Sequence, residues 1–437
     1  MNLKKALKHG EKIGADEVEV YYASNKSISI NLKKDQIDLA RESISRGIGV
    51  RAIVNGAIGF SSTNDFNNEK IEEAVEKAVK SAKVQNPDND WSGFPTREAL
   101  KEVKGIYDEN IENIKLDLAI EYASEIIRGA TSVSKIVTPT SGNFVCTCSN
   151  QLILNTNGLE IEEKGTGVHA FLDVIAKNKE VSTAYEYDIS RNLDLNFYEI
   201  GTKASKLALK SLNGIKLESK KTTVLLKPLA FADLYSHAFI PSLKADNVQK
   251  GRSVLMGQIN KPIANKELSI IDDGLLENGI GTARTDDEGS PSQRTPIIEN
   301  GILKTYIYDQ YTAGKDKVKS TGNAVRNSYS TTPSIDIRNM IIEYPNSDII
   351  SETKSGIIIN SVIGAHTANP VSGDFSVEAR NAFIIKNGEI DKPIKSLMLF
   401  GNAFDLLKKI NGAGEDIRTV GNIITPTIRL ESMQVIG

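Results

Sequence analysis

The feature that most narrows what this chain can fold into is a run of period-two segments near its start. EVEVYYAS, SISINLKKD and GIGVRAIVNGAIGFS send successive side chains to alternate faces, as strands do. Asn55-Gly56 lies between two such segments, and Asn-Gly supplies the two positive φ angles of a type I′ hairpin turn. This part of the chain is therefore expected to form antiparallel sheet.

Helices are expected to pack on that sheet. Ile71, Ala74, Val75, Ala78, Val79 and Ala82 recur at i, i+3, i+4, i+7, i+8 and i+11, one face of an α-helix with Glu and Lys opposite. Shorter periodic stretches predict helices over about 2–14, 115–129 and 193–212, the last ending at Asn213-Gly214. The polar segment QNPDNDWSGFP (85–95) is expected to be a surface loop anchored by Trp91. FVCTCSN and LILNTNGLEIEEKGTGVHAFLDVIA are expected strands, with a turn at Asn157-Gly158.

A chain of 437 residues is long for one domain and can bury a large core without disulfides or metals. The polar, turn-rich stretch LNGIKLESKKTT (212–223) marks the expected boundary. Residues 1–215 are expected to form an α+β domain of helices on antiparallel sheet. Residues 216–437 are expected to be strand-rich, a barrel or sandwich. In that half one helix (about 228–240) precedes many short strands. Asn300-Gly301 and Asn387-Gly388 form hairpin turns, and a last helix (about 402–411) precedes the terminal strand TIRLESMQVIG.

Composition excludes several classes. A net charge of −3 leaves no basic footprint for nucleic acid or an anionic membrane. No apolar run approaches the roughly 20 residues that span a bilayer. MNLKKALKHGEKIGADEVEV has no apolar core of a signal peptide, so a cytoplasmic location is expected. Cys146 and Cys148, two apart on an extended segment, point to the same face and offer no disulfide framework. They read as small buried hydrophobes.

Chemistry-bearing residues are sparse. His9, His169, His237 and His366 form no H-E-x-x-H and no pair at helical spacing. Asp272-Asp273 and Asp286-Asp287-Glu288-Gly289 fit either a divalent-ion or general-base site, or turns in which Asp caps backbone and Gly289 takes positive φ. Ser320-Thr321-Gly322-Asn323 fits either a groove wall or a turn. G-x-S-x-G, the Walker A loop and G-x-G-x-x-G are all absent.

Five blocks then appear in order: GRSVLMGQINKPIANKELSIIDDG (251–274), DDEGSPSQRTPIIENGILKTYIYDQYTA (286–313), STGNAVRNS (320–328), SGDFSVEARNAFIIKNGEIDKPI (372–394) and TPTIRLESMQVIG. With the early IGVRAIVNGAIGFSST, this series resembles the TldD/PmbA family over nearly the whole chain. In that family the TldD subunit carries a helical H-E-x-x-x-H zinc motif just before a G-x-S-x-x-x-G-Q block. Anchored on Gly251, Ser253, Gly257 and Gln258, the motif falls on residues 236–241. Ser236 replaces the first histidine, His237 the glutamate and Pro241 the second histidine. A register slip of one would put His237 at the first ligand, but Ala238 would stand for the glutamate and Ser242 for the second histidine. Pro241 lacks an N–H and would end the helix that should hold the ligands. TldD-type chains also carry a cysteine near the C-terminus, and VGNIITPTIRL has none.

The departures match the PmbA (TldE) side, the metal-free paralogue. The resemblance implies a cytosolic protease complex with a TldD-type subunit, linked to peptide maturation (such as microcin) and to degradation of a labile antitoxin. This chain would be the non-catalytic partner, with no cofactor of its own and zinc only in the TldD-type subunit. It would form a dimer with that subunit or with itself around an extended peptide. By family register Ser236, His237 and Asp246 look into the dimer cavity, with Ser320, Thr321, Gly322, Asn323 and Arg326 as candidate peptide-groove residues. The alternatives are a homodimeric peptide-binding protein independent of TldD, and an active peptidase with ligands from Asp272, Asp273 and 286–288.

Overall fold

The computed structural model describes residues 3–437. Strands β1 (Glu17–Lys33), β2 (Gln36–Val54), β3 (Ala57–Thr63), β4 (Val137–Asn155), β5 (Glu160–Lys177) and β6 (Val181–Ser190) form one antiparallel sheet in the order β3-β2-β1-β4-β5-β6. The Asn55-Gly56 turn takes φ of 52° and 76°, as its hairpin requires. At Asn157-Gly158 only Gly158 is left-handed (φ 84°). There the Asn155 carboxamide oxygen accepts from the N–H groups of Asn157 and Leu159 and holds a wider turn.

The period-two pattern sorts the sheet into two faces. On one, Val18, Val20, Ile48, Val50 and Ala52 meet helices α1 (Leu3–Lys12) and α2 (Asn68–Lys83). The six expected residues from Ile71 to Ala82 are the buried face of α2. Enclosing a side chain such as Val75 stabilises by about 1.5–3 kcal/mol. Further along the same face, Ile28, Ile30 and Leu32 meet α4 (Leu116–Val133) and α5 (Phe197–Lys210), after a single-turn α3 (Glu109–Glu112). The start of α5 is set by Asn196, whose side chain accepts from Glu199 N–H. The α4 and α5 backbones touch: a Cβ on Gly129 would lie 1.9 Å from the Tyr198 carbonyl oxygen, and one on Gly201 2.0 Å from that of Ile126. Cys146 and Cys148 share this face of β4, Cys146 fully enclosed. Burial pushes the Cys146 thiol up to about 11, so it behaves as a small hydrophobe. Trp91 anchors its loop by donating to Glu17 Oε2 at 2.6 Å.

The second half is strand-rich. β7 (Lys220–Leu226) pairs with Ser355–Ile363 and Ile428–Ile436. Pairing continues through Met398–Asn402 and Asp374–Lys386 and returns to Ser355–Ile363, closing five strands into a barrel. Closure leaves these strands no free edge. A second sheet contains Ser269–Asp273, Arg294–Glu299, Met340–Glu343, Ile423–Thr425 and, at one edge, Arg418–Val420. Both share one core with helix α6 (Pro228–Ala238), whose Phe231, Leu234 and Tyr235 are fully buried.

The uncovered face of the first sheet meets the second half through buried charge. Glu19 and Arg51, cross-strand partners on β1 and β2, pair at 2.6 Å. Arg51 also reaches Glu288 at 2.6 Å. Glu19 accepts from Arg326 as well, whose guanidinium carbon lies 4.6 Å from the Tyr21 ring centroid. Glu288 Oε2 accepts from Gln310 N–H at 2.9 Å. Burial by itself would raise the Glu19 carboxyl, but Arg326 and Arg51 outweigh it and hold it below the ordinary range.

Removing one member leaves a charge stranded in the interior. Arg326→Ala is expected to lower stability by about 3–5 kcal/mol in urea unfolding. A loss under about 1 kcal/mol would mean that water replaces the guanidinium. Asp309, which caps Gln310–Asp316 through Thr312, is pushed up to about 6 by burial and by Glu288. Its folded value lies above the unfolded one, so its contribution is present in acid and lost as pH rises through 6. Asp309→Asn keeps the capping oxygen and removes the titration. Its stability relative to the parent is expected to improve by roughly 1.4 kcal/mol between pH 5 and pH 8. A pH-independent difference in denaturation would contradict the assignment.

Candidate functional site

Helix α6 begins with Pro228 in its first turn, where a missing N–H is harmless, and is buried along most of its length. Its half-exposed positions, Asp233, Ser236 and His237, leave the core at its C-terminal half. Asp233 and Ser236 form one wall of a cavity of about 660 Å³. Tyr185 and Tyr187 of β6 form another, and the cross-strand pair Ser361 and Arg380 of the barrel a third. The Lys244–Asp336 ion pair, at 3.2 Å, also lines it.

The cavity lies where two sheet edges face each other. β6 pairs only with β5, and Arg418–Val420 is an edge of the second sheet. Arg418 bridges them, donating to Glu186 at 2.5 Å and to the Tyr187 carbonyl. Burial pushes the Tyr187 phenol up to about 12 and Tyr185 higher, so both remain neutral. Arg380 Nη2 donates to Asp173 at 2.8 Å, while Arg380 Nε and Ser361 Oγ have no partner among the described residues. The walls thus offer unsatisfied polar groups beside aromatic surface, the makings of a binding site for a polar, extended ligand.

Residues 219–437 match the PmbA/TldA metallopeptidase C-terminal domain, 109–212 the central domain and 18–82 domain 1. The chain belongs to the TldD/PmbA family. Uncharacterized protein MJ0231 of Methanocaldococcus jannaschii is 34% identical over 428 residues, covering 98% of each chain. The metalloprotease PmbA homolog of Haemophilus influenzae is 26% identical, covering 99% of this chain and 94% of that one. The crystal structure of TldE from Thermococcus kodakarensis has a TM-score of 0.93 at 25% identity, with all of both chains covered.

For a TldD/PmbA chain, zinc is the metal to test against the residues present. Ser236 and His237 lie in the last turn of α6, which ends at Ala238, and Pro241 lies in the separate short helix Ile240–Leu243. Ser236 Oγ donates to the Asp233 carbonyl at 2.8 Å and sits 3.0 Å from His237 Nδ1. That nitrogen is itself 2.9 Å from the same carbonyl. Burial raises the Asp233 carboxyl. A catalytic zinc site takes three protein ligands. His237 and His366 both lie near enough to act on the Asp233 carboxyl, but among the described residues no three His, Cys, Asp or Glu are grouped to hold an ion. These residues do not fit zinc.

The other expected groove residues lie elsewhere. Asp246 pairs with Lys250 at 3.1 Å and lines a separate cavity of about 280 Å³. The Ser320 and Thr321 hydroxyls donate to the Tyr308 carbonyl. Gly322 takes φ 72°, and a Cβ there would meet the Pro291 carbonyl at 2.8 Å. Asn323 is fully buried and donates to Asp272 at 2.6 Å. The segment is a turn hooked on its neighbours. Arg326, expected as a peptide-groove cation, is instead drawn inside by Glu19, 307 positions away in the chain. The acidic run 286–289 is also a turn: Asp286 accepts from Glu288 and Ser290 N–H, and Gly289 has φ 90°. Tyr185, Tyr187, Ser361 and Arg380 carried no motif. Only the alternation of the two tyrosines, and Asp233 standing four before His237, could have pointed to this wall.

Arg418→Ala would untie β6 from the facing strand. Deuterium uptake across 181–190 is expected to rise, with a stability loss of about 1–3 kcal/mol. Unchanged uptake there would show that the bridge does not restrain the edge.

Proposed function

We propose that this chain is the peptide-binding, non-catalytic subunit of a TldD/TldE-type metalloprotease system. One observation carries the reading. The positions where the family places zinc ligands hold Ser236, His237 and Pro241, yet the helix bearing Ser236 still walls a roomy cavity. The ligand chemistry is gone while the space for substrate remains. An extended peptide fits the facing edges of β6 and Arg418–Val420, because main-chain hydrogen bonding at an edge tolerates many side chains. The unpartnered Ser361 and Arg380 groups would meet its polar backbone. The chain works as a dimer in the cytoplasm, with a TldD-type subunit or with a second copy. No helix among the described residues is long and apolar enough to cross a membrane.

After mild dialysis the purified chain is expected to hold sub-stoichiometric zinc and to hydrolyse no peptide alone. Mixed with a metal-bearing family member, it is expected to co-elute with it and to raise peptide cleavage. One tightly held zinc per chain, with hydrolysis by the chain alone, would overturn the reading. Light scattering should give a mass well above the 47.6 kDa of a single chain.

A further inference from the structure

β6 separates two cavities. Tyr185 and Tyr187 face the one described above, while Glu186 and Asp188, on the opposite face of the strand, line a second of about 580 Å³. The cavities abut at Leu229, which lines both, and the barrel strand contributes Ser361 to one and its neighbour Asn360 to the other.

The second cavity is cationic. Lys206 and Lys210, one turn apart on α5, and Lys227 at the start of α6 line it, and none forms an ion pair among the described residues. Lys203, also on its wall, pairs with Glu199 at 3.4 Å. The wall acids are engaged already. Glu186 holds Arg418, Asp416 accepts from Thr427 N–H and Oγ1 at 2.9 and 2.7 Å, and Asp188 accepts from Ile189 N–H. Asn360 Nδ2 is buried and has no partner among the described residues, an observation independent of the lysines. Five cations on the wall, Lys203, Lys206, Lys210, Lys227 and Arg418, face three carboxylates, and a concave site with this excess of positive charge raises the local concentration of anions.

We propose that this lysine-lined trough takes the acidic segment of a peptide whose remainder lies in the first cavity. The inference rests on the peptide-binding reading above and adds a charge preference to it. Carboxylates of Asp or Glu residues would pair with Lys206, Lys210 and Lys227, and a side-chain or main-chain carbonyl would accept from Asn360.

The test compares two short synthetic peptides carrying the same neutral dye, one with a run of Gln at one end and one with Glu in its place. In anisotropy titrations of the full chain, the acidic peptide is expected to bind roughly tenfold more tightly in dilute buffer, from about three exposed charge pairs. The advantage should shrink in concentrated salt. A double variant, Lys206→Gln with Lys210→Gln, alters two exposed positions on α5. It is expected to lose the advantage while keeping the neutral peptide's affinity and the parent melting temperature. If the neutral peptide binds and the acidic one gains nothing, or the gain survives in the variant, the trough has no such role and the peptide-binding reading stands. If neither peptide binds, the peptide-binding reading fails and this inference with it. Inorganic phosphate binding more tightly than the acidic peptide, with the same lysine dependence, would overturn the assignment to peptide carboxylates.

Discussion

The structure depends on the interior ion network of Glu19, Arg51, Glu288 and Arg326. Two guanidiniums and two carboxylates are taken out of water where the first sheet meets the second half. Desolvating such groups is expensive, and only close geometry repays it. The network therefore favours one placement of the sheet and strongly disfavours alternatives, since any slip strands a charge. Tyr21 lies across Arg326, and Gln310 N–H closes the remaining Glu288 oxygen.

That placement creates the candidate site. With the sheet docked on its Glu19 face, β6 comes up against Arg418–Val420, and two edges that would each be open are set opposite one another. Proteins usually blunt exposed edges to avoid unwanted pairing. Here Arg418 ties the two together at Glu186 and Tyr187, and cavities remain on both faces of β6. Helix α6 forms one wall of the first cavity. Its last turn is satisfied internally by Ser236, His237 and the Asp233 carbonyl, and the chain bends before Pro241.

The residues by themselves determined a good deal. Alternation in the first 63 residues and the face from Ile71 to Ala82 specified helices on one side of an antiparallel sheet, because burial period follows backbone geometry directly. Asn55-Gly56, Asn300-Gly301 and Asn387-Gly388 specified their turns, because few residue pairs accept two left-handed angles. The ordered blocks of the second half identified the family. What only the tertiary structure decided concerns long-range partners. Arg326 looks like a free cation until Glu19, at the other end of the chain, closes on it. Asn323 looks like a groove donor until Asp272 takes it. The cavity walls, Tyr185 and Tyr187 with Ser361 and Arg380, belong to elements far apart in sequence and share no local pattern. Side-chain periodicity reports which face of an element is buried, not which distant charge or edge will lie against it.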